Sequence, residues 1–356
     1  MKKKLIIFIL FLLAAIGVII FFIYGKEFLK LSEEKKVYSL GNVQSTKIDT
    51  LDEFKFFNDG IITYNNQKII FLNYSNQILW ENDDTKTSKQ VFLSDKYVFR
   101  DVGDKIQAFD KNGRKFILAE IKGNILNVSR ENDKAYVVVK SNEEKNSLYI
   151  VDENNKIIDN KVFKDNITSV SISDKSEGYS LTTLRLENQT VVNTVYFNLL
   201  DDIELWNIWI ENEILIKDQI VNNNVILIGT KNIYYFNTNG KLMWKNGVYN
   251  KILDYNINKE KERIYILYDK EKNAELISYD FEGKVKGVVE VPKNLKNIKI
   301  YSNKIFVYSE ESLYLVHKEK TDKIYEDLEG GISDFIVEDN YIHIISKNKL
   351  VSGEIK

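Results

Sequence analysis

The sequence predicts an all-β fold, a β-propeller of four-stranded blades, preceded by one transmembrane helix. Three observations lead there. A strand-turn-strand phrase recurs along the chain with Asp or Asn, then Gly or Asn, at fixed turn positions. Successive repeats lie 36 to 46 residues apart, the period of a propeller blade. Residues 5–24 form an uncharged apolar run, long enough to span a bilayer.

The helix comes first in the chain. LIIFILFLLAAIGVIIFFIY carries no charge over residues 5–24, and at about 1.5 Å per residue it matches a hydrocarbon core of about 30 Å. Ala14, Ala15 and Gly17 lie inside the run and more apolar residues follow them. This argues for an uncleaved anchor, because a cleaved signal peptide ends its shorter apolar stretch on a small-x-small site. Lys2, Lys3 and Lys4 predict a cytoplasmic N-terminus and a cell-membrane protein whose large domain is extracytoplasmic. The expected division is a cytoplasmic tip at 1–4, the helix at 5–24, a linker at 25–36 and the propeller at 37–356. No ionisable side chain interrupts the span, so it reads as a tether rather than a proton or ion path.

The repeat begins after the linker. Its turn phrase appears as FLNYSNQILW (71–80), AFDKNGRKFI (108–117), IVDENNKIID (150–159), YFNTNGKLMW (235–244) and SYDFEGKVKG (278–287). The turn residues are Asn73/Asn76, Asp110/Gly113, Asp152/Asn155, Asn237/Gly240 and Asp280/Gly283. Asp or Asn bonds its own backbone two residues on, and Gly or Asn accepts a left-handed conformation, so each phrase is a hairpin. FNLLDDIELW (197–206) is a degenerate copy that keeps Asn198 and Asp201.

A second phrase precedes each first one and joins two further alternating strands. Its second strand begins near Ile61, Tyr97, Ala135, Tyr179, Val225, Ile264, Ile305 and Tyr341. Eight starts predict eight blades, with seven as the alternative because the fourth repeat is long and irregular. The last repeat runs out after YIHIISKNKLVSGEIK, while VYSL and EFKFF near the start lack partners. Pairing of the two termini is therefore expected to complete one blade and close the ring, covering edges that invite aggregation. The single Pro, Pro292, falls between phrases, where no ladder bond is lost.

YFNTNGKLMW and its echo FLNYSNQILW resemble the repeat of quinoprotein-like (PQQ-type) propellers, in which a hairpin Gly-Lys precedes a Trp that packs between blades. In that register Trp80 and Trp244 match the Trp, whereas Asp159, Leu205 and Gly287 do not. The resemblance implies inter-blade packing for Trp80 and Trp244. The chain also resembles an uncharacterised family of membrane-anchored propellers of low-GC Gram-positive bacteria, which share the Lys-rich tip, one helix and a single Ile/Asn/Lys/Tyr-rich repeat domain. Quinoprotein dehydrogenases add acidic calcium ligands and a disulfide of neighbouring Cys, and a chain with Cys 0 cannot form the second. The similar propeller subunit of the outer-membrane barrel assembly machine is a protein scaffold. Fold does not give function.

Composition and motifs narrow the chemistry. Of 50 Lys+Arg against 52 Asp+Glu, three are Lys2, Lys3 and Lys4, which leaves 47 against 52 for the rest. A mildly acidic domain without a basic block does not predict nucleic-acid binding. Without Cys there is no thiolate nucleophile, thiolate metal site or lipidated Cys, and two His do not make a three-histidine zinc site. The adjacent acids Asp83-Asp84, Glu143-Glu144, Asp201-Asp202 and Glu310-Glu311 would point to opposite faces of a strand, not across a glycosidase gap. A calcium loop centred on Asp110 and Asn112 would put Ala108 and Ala119 at ligand positions and fails. His343 and His317 read as core or tunnel-lining residues rather than general bases. Trp206 and Trp209 fit either a binding surface or, more simply, inter-blade packing.

No catalytic, cofactor or metal residue is therefore expected. The predicted function is a membrane-tethered protein-interaction scaffold of the cell envelope, partnered by another envelope protein. The alternative is a ligand-binding or enzymatic site in the central funnel.

Overall fold

The computed structural model describes residues 37–356 other than 50, 84–89, 95, 132, 142–144, 174–176, 201–202 and 348. The expected tip, helix and linker, residues 1–36, lie outside the described residues. Among the described residues no helix is long and apolar enough to cross a membrane.

The residues from Leu40 to Lys356 form eight antiparallel sheets of four strands each, an eight-bladed propeller. Blades 1 to 7 take consecutive strands, spanning residues 53–83, 90–119, 124–163, 166–211, 215–247, 251–291 and 297–326. Blade 8 takes residues 332–355 and, at its outer edge, the N-terminal strand Leu40–Lys47. First strands touch at the joints of blades 2 and 3, 4 and 5, 6 and 7, 7 and 8, and 8 and 1, so they line the inside of the ring and the fourth strands form its rim.

Sequence pattern follows this layering. Middle strands are covered on both faces by neighbouring blades and read as unbroken apolar runs, such as KAYVVVK at Lys134–Lys140 and NVILIG at Asn224–Gly229, where nearly every residue is buried. Rim strands pack on one face and alternate. The second strands start at Gly60, Val98, Lys134, Gly178, Asn224, Arg263, Lys304 and Tyr341, within one residue of the eight predicted starts.

Closure of the ring departs from the expected two-plus-two pairing. Three strands come from the C-terminal end, Ile332–Glu338, Tyr341–Ser346 and Lys349–Ile355, and one from the N-terminal end. That strand begins at Leu40, so of VYSL only its last residue takes part, and it runs antiparallel with Leu40 opposite Ile355 and Lys47 opposite Lys349. EFKFF, expected to share in closure, instead opens blade 1, pairing with Gly60–Tyr64 across the turn at Asn58 and Asp59. The physical reason is loop closure. A partner two residues away costs far less chain entropy than one at the other end of the chain.

Candidate interaction surface

The predicted hairpin residues sit in the turns between the third and fourth strands. Oδ1 of Asn73, Asp110, Asp152, Asn237 and Asp280 each accepts two backbone N–H groups, two and four residues on, at 2.8 to 3.0 Å. Asn76, Gly113, Asn155, Gly240 and Gly283 take left-handed φ of 61°, 75°, 62°, 73° and 80°.

These turns are also the sockets of the tryptophans. Trp80 donates its Nε1–H to Lys111 O at 3.0 Å and Trp244 to Phe281 O at 2.8 Å, each reaching the turn of the next blade. Their indoles lie so close to Gly113 and Gly283 that a Cβ there would fall 2.6 and 2.8 Å from the ring. Trp206 does the same at blade 5, bonding Thr238 O at 2.9 Å over Gly240. Trp206 faces Phe197 as Trp80 faces Phe71 and Trp244 faces Tyr235. The equivalent residue in blade 4 is thus Trp206 and not Leu205, because Asn198 and Leu199 are both still paired in the ladder and the turn starts one residue later than at Asn73 and Asn237. At Asp159, which lacks the indole, the carboxylate accepts the Tyr179 hydroxyl of blade 4 at 2.8 Å and makes the inter-blade link in its place.

At the inner edge of the ring, the first strands of blades 3, 4, 5, 6 and 8 each carry a bulge, which turns the extra residue off the ladder. These are Leu126, Thr168, Ile216, Leu253 and Ser333. A space of about 470 Å³ is lined by Glu53, Phe54, Lys55, Lys299, Ser333 and Asp334, with Lys299 ion-paired to Asp334. Its charges are mixed rather than convergently acidic.

Two carboxylates on the first strands of blades 5 and 6 tie blades together. Asp218, fully buried, accepts the hydroxyls of Ser169 and Thr182 from blade 4, the latter at 3.1 Å. Asp254 accepts the N–H of Ile298 in blade 7 and of Tyr255, both at 2.8 Å. Burial pushes both above the ordinary carboxylate range, and those bonds pull back. Among the described residues no three His, Asp or Glu side chains are grouped to hold a metal.

His343 lies at the seam of blades 8 and 1 rather than in a tunnel. Its ring stacks on Tyr74 at 4.1 Å and its Nδ1 is 2.7 Å from Ser352 Oγ, while the Tyr74 hydroxyl donates to Glu338 at 3.0 Å. Burial holds the imidazole below its ordinary 6.5, with Glu338 opposing. The folded state therefore binds its proton less readily than the unfolded chain. Its contribution to stability is full above pH 6.5 and is lost as pH falls through the lowered value. Urea titrations from pH 7 to pH 5 should show unfolding free energy falling, and His343→Phe, which keeps the stack, should flatten that dependence.

The rim offers a different kind of surface at blade 4. Its middle strands, Gly178–Glu187 and Thr190–Leu199, are ten residues each and turn at Asn188 and Gln189, with φ of 48° and 67°. The rim strand Ile203–Glu211, IELWNIWIE, has nine residues. Trp206, Ile208 and Ile210 pack toward Phe236 and Tyr234 of blade 5. Leu205 and Trp209 instead stand 44% and 68% exposed, with the Arg185 guanidinium 5.9 Å from the Trp209 ring centre. A groove of about 450 Å³ runs between this strand and Lys231, Tyr234 and Lys245 of blade 5.

Buried polar groups brace this edge. Asn193 Nδ2 donates to Ile210 O and Glu213 O at 3.0 and 2.7 Å. The Glu213 carboxylate accepts the N–H groups of Lys231 and Asn232, both at 3.1 Å, and the Tyr234 hydroxyl. Sequence reading missed Glu213, Asn193 and Asp218; it weighed Trp209 without separating it from Trp206.

The profile of a family of unknown function, DUF5711, matches residues 33–352. The chain belongs to this family. None of the curated proteins matches it. Among solved structures it is similar to BamB from Moraxella catarrhalis, with 12% identity and a TM-score of 0.57 over 88% of this chain and 99% of that one. The computationally designed protein Ika8 is 10% identical with a TM-score of 0.59, over 87% and 100% of the two chains. A eukaryotic initiation factor is 11% identical with a TM-score of 0.56, over 84% and 83%. At these identities the likeness is one of fold. The family member described here is a propeller whose buried acids join blades and whose rim strands carry exposed apolar residues, Leu205 and Trp209 of blade 4 among them.

Proposed function

We propose that the protein is a membrane-tethered propeller acting as a protein-interaction scaffold in the cell envelope, its N-terminus cytoplasmic and its ring extracytoplasmic. The observation that carries this reading is the exposed apolar edge of blade 4, held rigid by Asn193 and Glu213. Large exposed apolar residues on a braced surface mark protein contact. The uncharged run at 5–24 and the lysines before it support the tether and its orientation. Within the ring, Asp218 and Asp254 are engaged in bonds between blades.

The test is cross-linking of the tagged full-length protein in its native membrane, followed by mass spectrometry against an anchor-only control. One envelope partner, enriched at least tenfold and lost when residues 37–356 are removed, is the expected result. High recovery with no such partner would overturn the scaffold and move attention to the polar space beside Lys55 and Lys299.

A further inference from the structure

We infer that the rim strand Ile203–Glu211 takes up an extended segment of a partner protein as a fifth strand of blade 4, and that this segment is apolar in alternation and basic at its ends. The inference rests on the scaffold reading and specifies its contact.

The backbone geometry comes first. Asn212 N–H bonds Val191 O at 2.9 Å, in register with Asn193 opposite Ile210. Hydrogen-bonded and open pairs alternate in an antiparallel ladder. Ile210 and Ile208 therefore bond inward to the third strand, while Glu211, Trp209 and Asn207 turn N–H and C=O outward to the rim. Every propeller blade has such an edge, and natural sheets protect it, chiefly with lysine.

Six of the eight rim strands carry lysine: LGNVQSTK, KFILA, IIDNKVF, LMWKNG, VKGVVEV and KTDKIYE. The other two are ILWEND and IELWNIWIE, of which the second is longer by three residues. IELWNIWIE has no Lys, Arg, Pro or Gly, and it displays Leu205 and Trp209 to solvent.

Its charge selects the occupant. Glu204 and Glu211 are both exposed, and they are its only ionisable groups. Pairing with a second copy through this edge would place four glutamates and no cation in one ribbon, which like-charge repulsion opposes. A segment with Lys or Arg near each end meets both glutamates, and apolar residues between them cover Trp209. Strand addition of this kind draws affinity from main-chain bonds and specificity from alternate side chains.

The probe is a blocked eight-residue peptide of alternating threonine and valine between terminal lysines, whose seven-residue spacing matches that of Glu204 and Glu211 on opposite faces of the strand, compared by fluorescence anisotropy with the same peptide between terminal glutamates. Against the full-length protein in detergent at low salt, the lysine-ended peptide should bind at least tenfold tighter. Asn207→Pro removes an outward N–H and leaves the inner ladder intact; it should abolish binding with an unchanged melting temperature. Glu204→Lys with Glu211→Lys should reverse the preference between the two peptides. Equal affinities for both peptides, or binding unaffected by Asn207→Pro, would overturn the inference. If cross-linking still captures the same envelope partner with Asn207→Pro, the edge is not the contact and the scaffold reading stands. If no variant captures a partner, the scaffold reading fails separately.

Discussion

Trp206→Ala is expected to lower the unfolding free energy by about 2–4 kcal/mol, below the full range for burying an aromatic because the indole keeps some solvent contact. The loss has three parts. The indole stacks on Phe197 at 5.5 Å and meets Phe236 at 6.1 Å, so its removal opens a space between blades 4 and 5. Its Nε1–H leaves Thr238 O without that donor. The Gly240 turn loses the ring that covers it. Gly240→Ala attacks the same joint from the other side, because it adds a methyl at φ +73° and puts a Cβ 2.8 Å from the indole. Its cost should be about 1–3 kcal/mol. Denaturant titration of each single variant and of the double would check this. Sub-additive losses are expected, since both changes break one contact. A Trp206→Ala protein with wild-type stability would show that blades 4 and 5 are held by the ladder and core alone.

That joint also shows where sequence reading succeeds and stops. Hairpins are local, so Asn237 and Gly240 declare the turn by residue type and spacing, and the backbone follows. Trp80 and Trp244 stand seven residues after the turn Asn and are legible by the same count. Trp206 escapes it because the FNLLDDIELW turn begins a residue later, and only pairing with Phe197 reveals the equivalence. Asp159 is harder still, since a carboxylate there resembles any rim charge until Tyr179 of the next blade is seen to meet it. Asp218 and Glu213 depend on the same closure in space. A period of two gives which face a side chain takes, but not which blade lies opposite. The rim strand of blade 4 was readable as alternating, yet its openness is a property of the ring and of what the neighbouring blades leave uncovered.

Deleting residues 37–49 should abolish the closed monomeric ring, the largest single effect expected in this chain. The deletion removes the fourth strand of blade 8, with six residues in register against Lys349–Ile355, at about 0.5–1.5 kcal/mol for each backbone bond lost. It also removes Ile48, which is 2% exposed and packs with Ile61, Leu72, Ile345 and Leu350 across the seam of blades 8 and 1, for about 2–4 kcal/mol more. Together these approach the whole stability of a typical domain, about 5–15 kcal/mol. A second consequence follows from topology. The three C-terminal strands of blade 8 connect covalently to blade 1 through the length of the ring, whereas Leu40–Lys47 leads straight into blade 1, so the pairing of Leu40 with Ile355 is what fastens the ends of the ring. Without it, the strand Lys349–Ile355 becomes a fresh open edge carrying Leu350, Val351 and Ile355, which favours pairing between molecules. Size-exclusion chromatography with light scattering should therefore find oligomers, and circular dichroism a lowered and broadened melt. A synthetic peptide of residues 37–49 supplied in trans should restore the monomer, because the missing strand is needed for its contacts rather than its connection. A deletion that melts as the intact protein does would mean three strands suffice for blade 8, and that the seam is held by the apolar contacts of Ile61 and Ile345 alone.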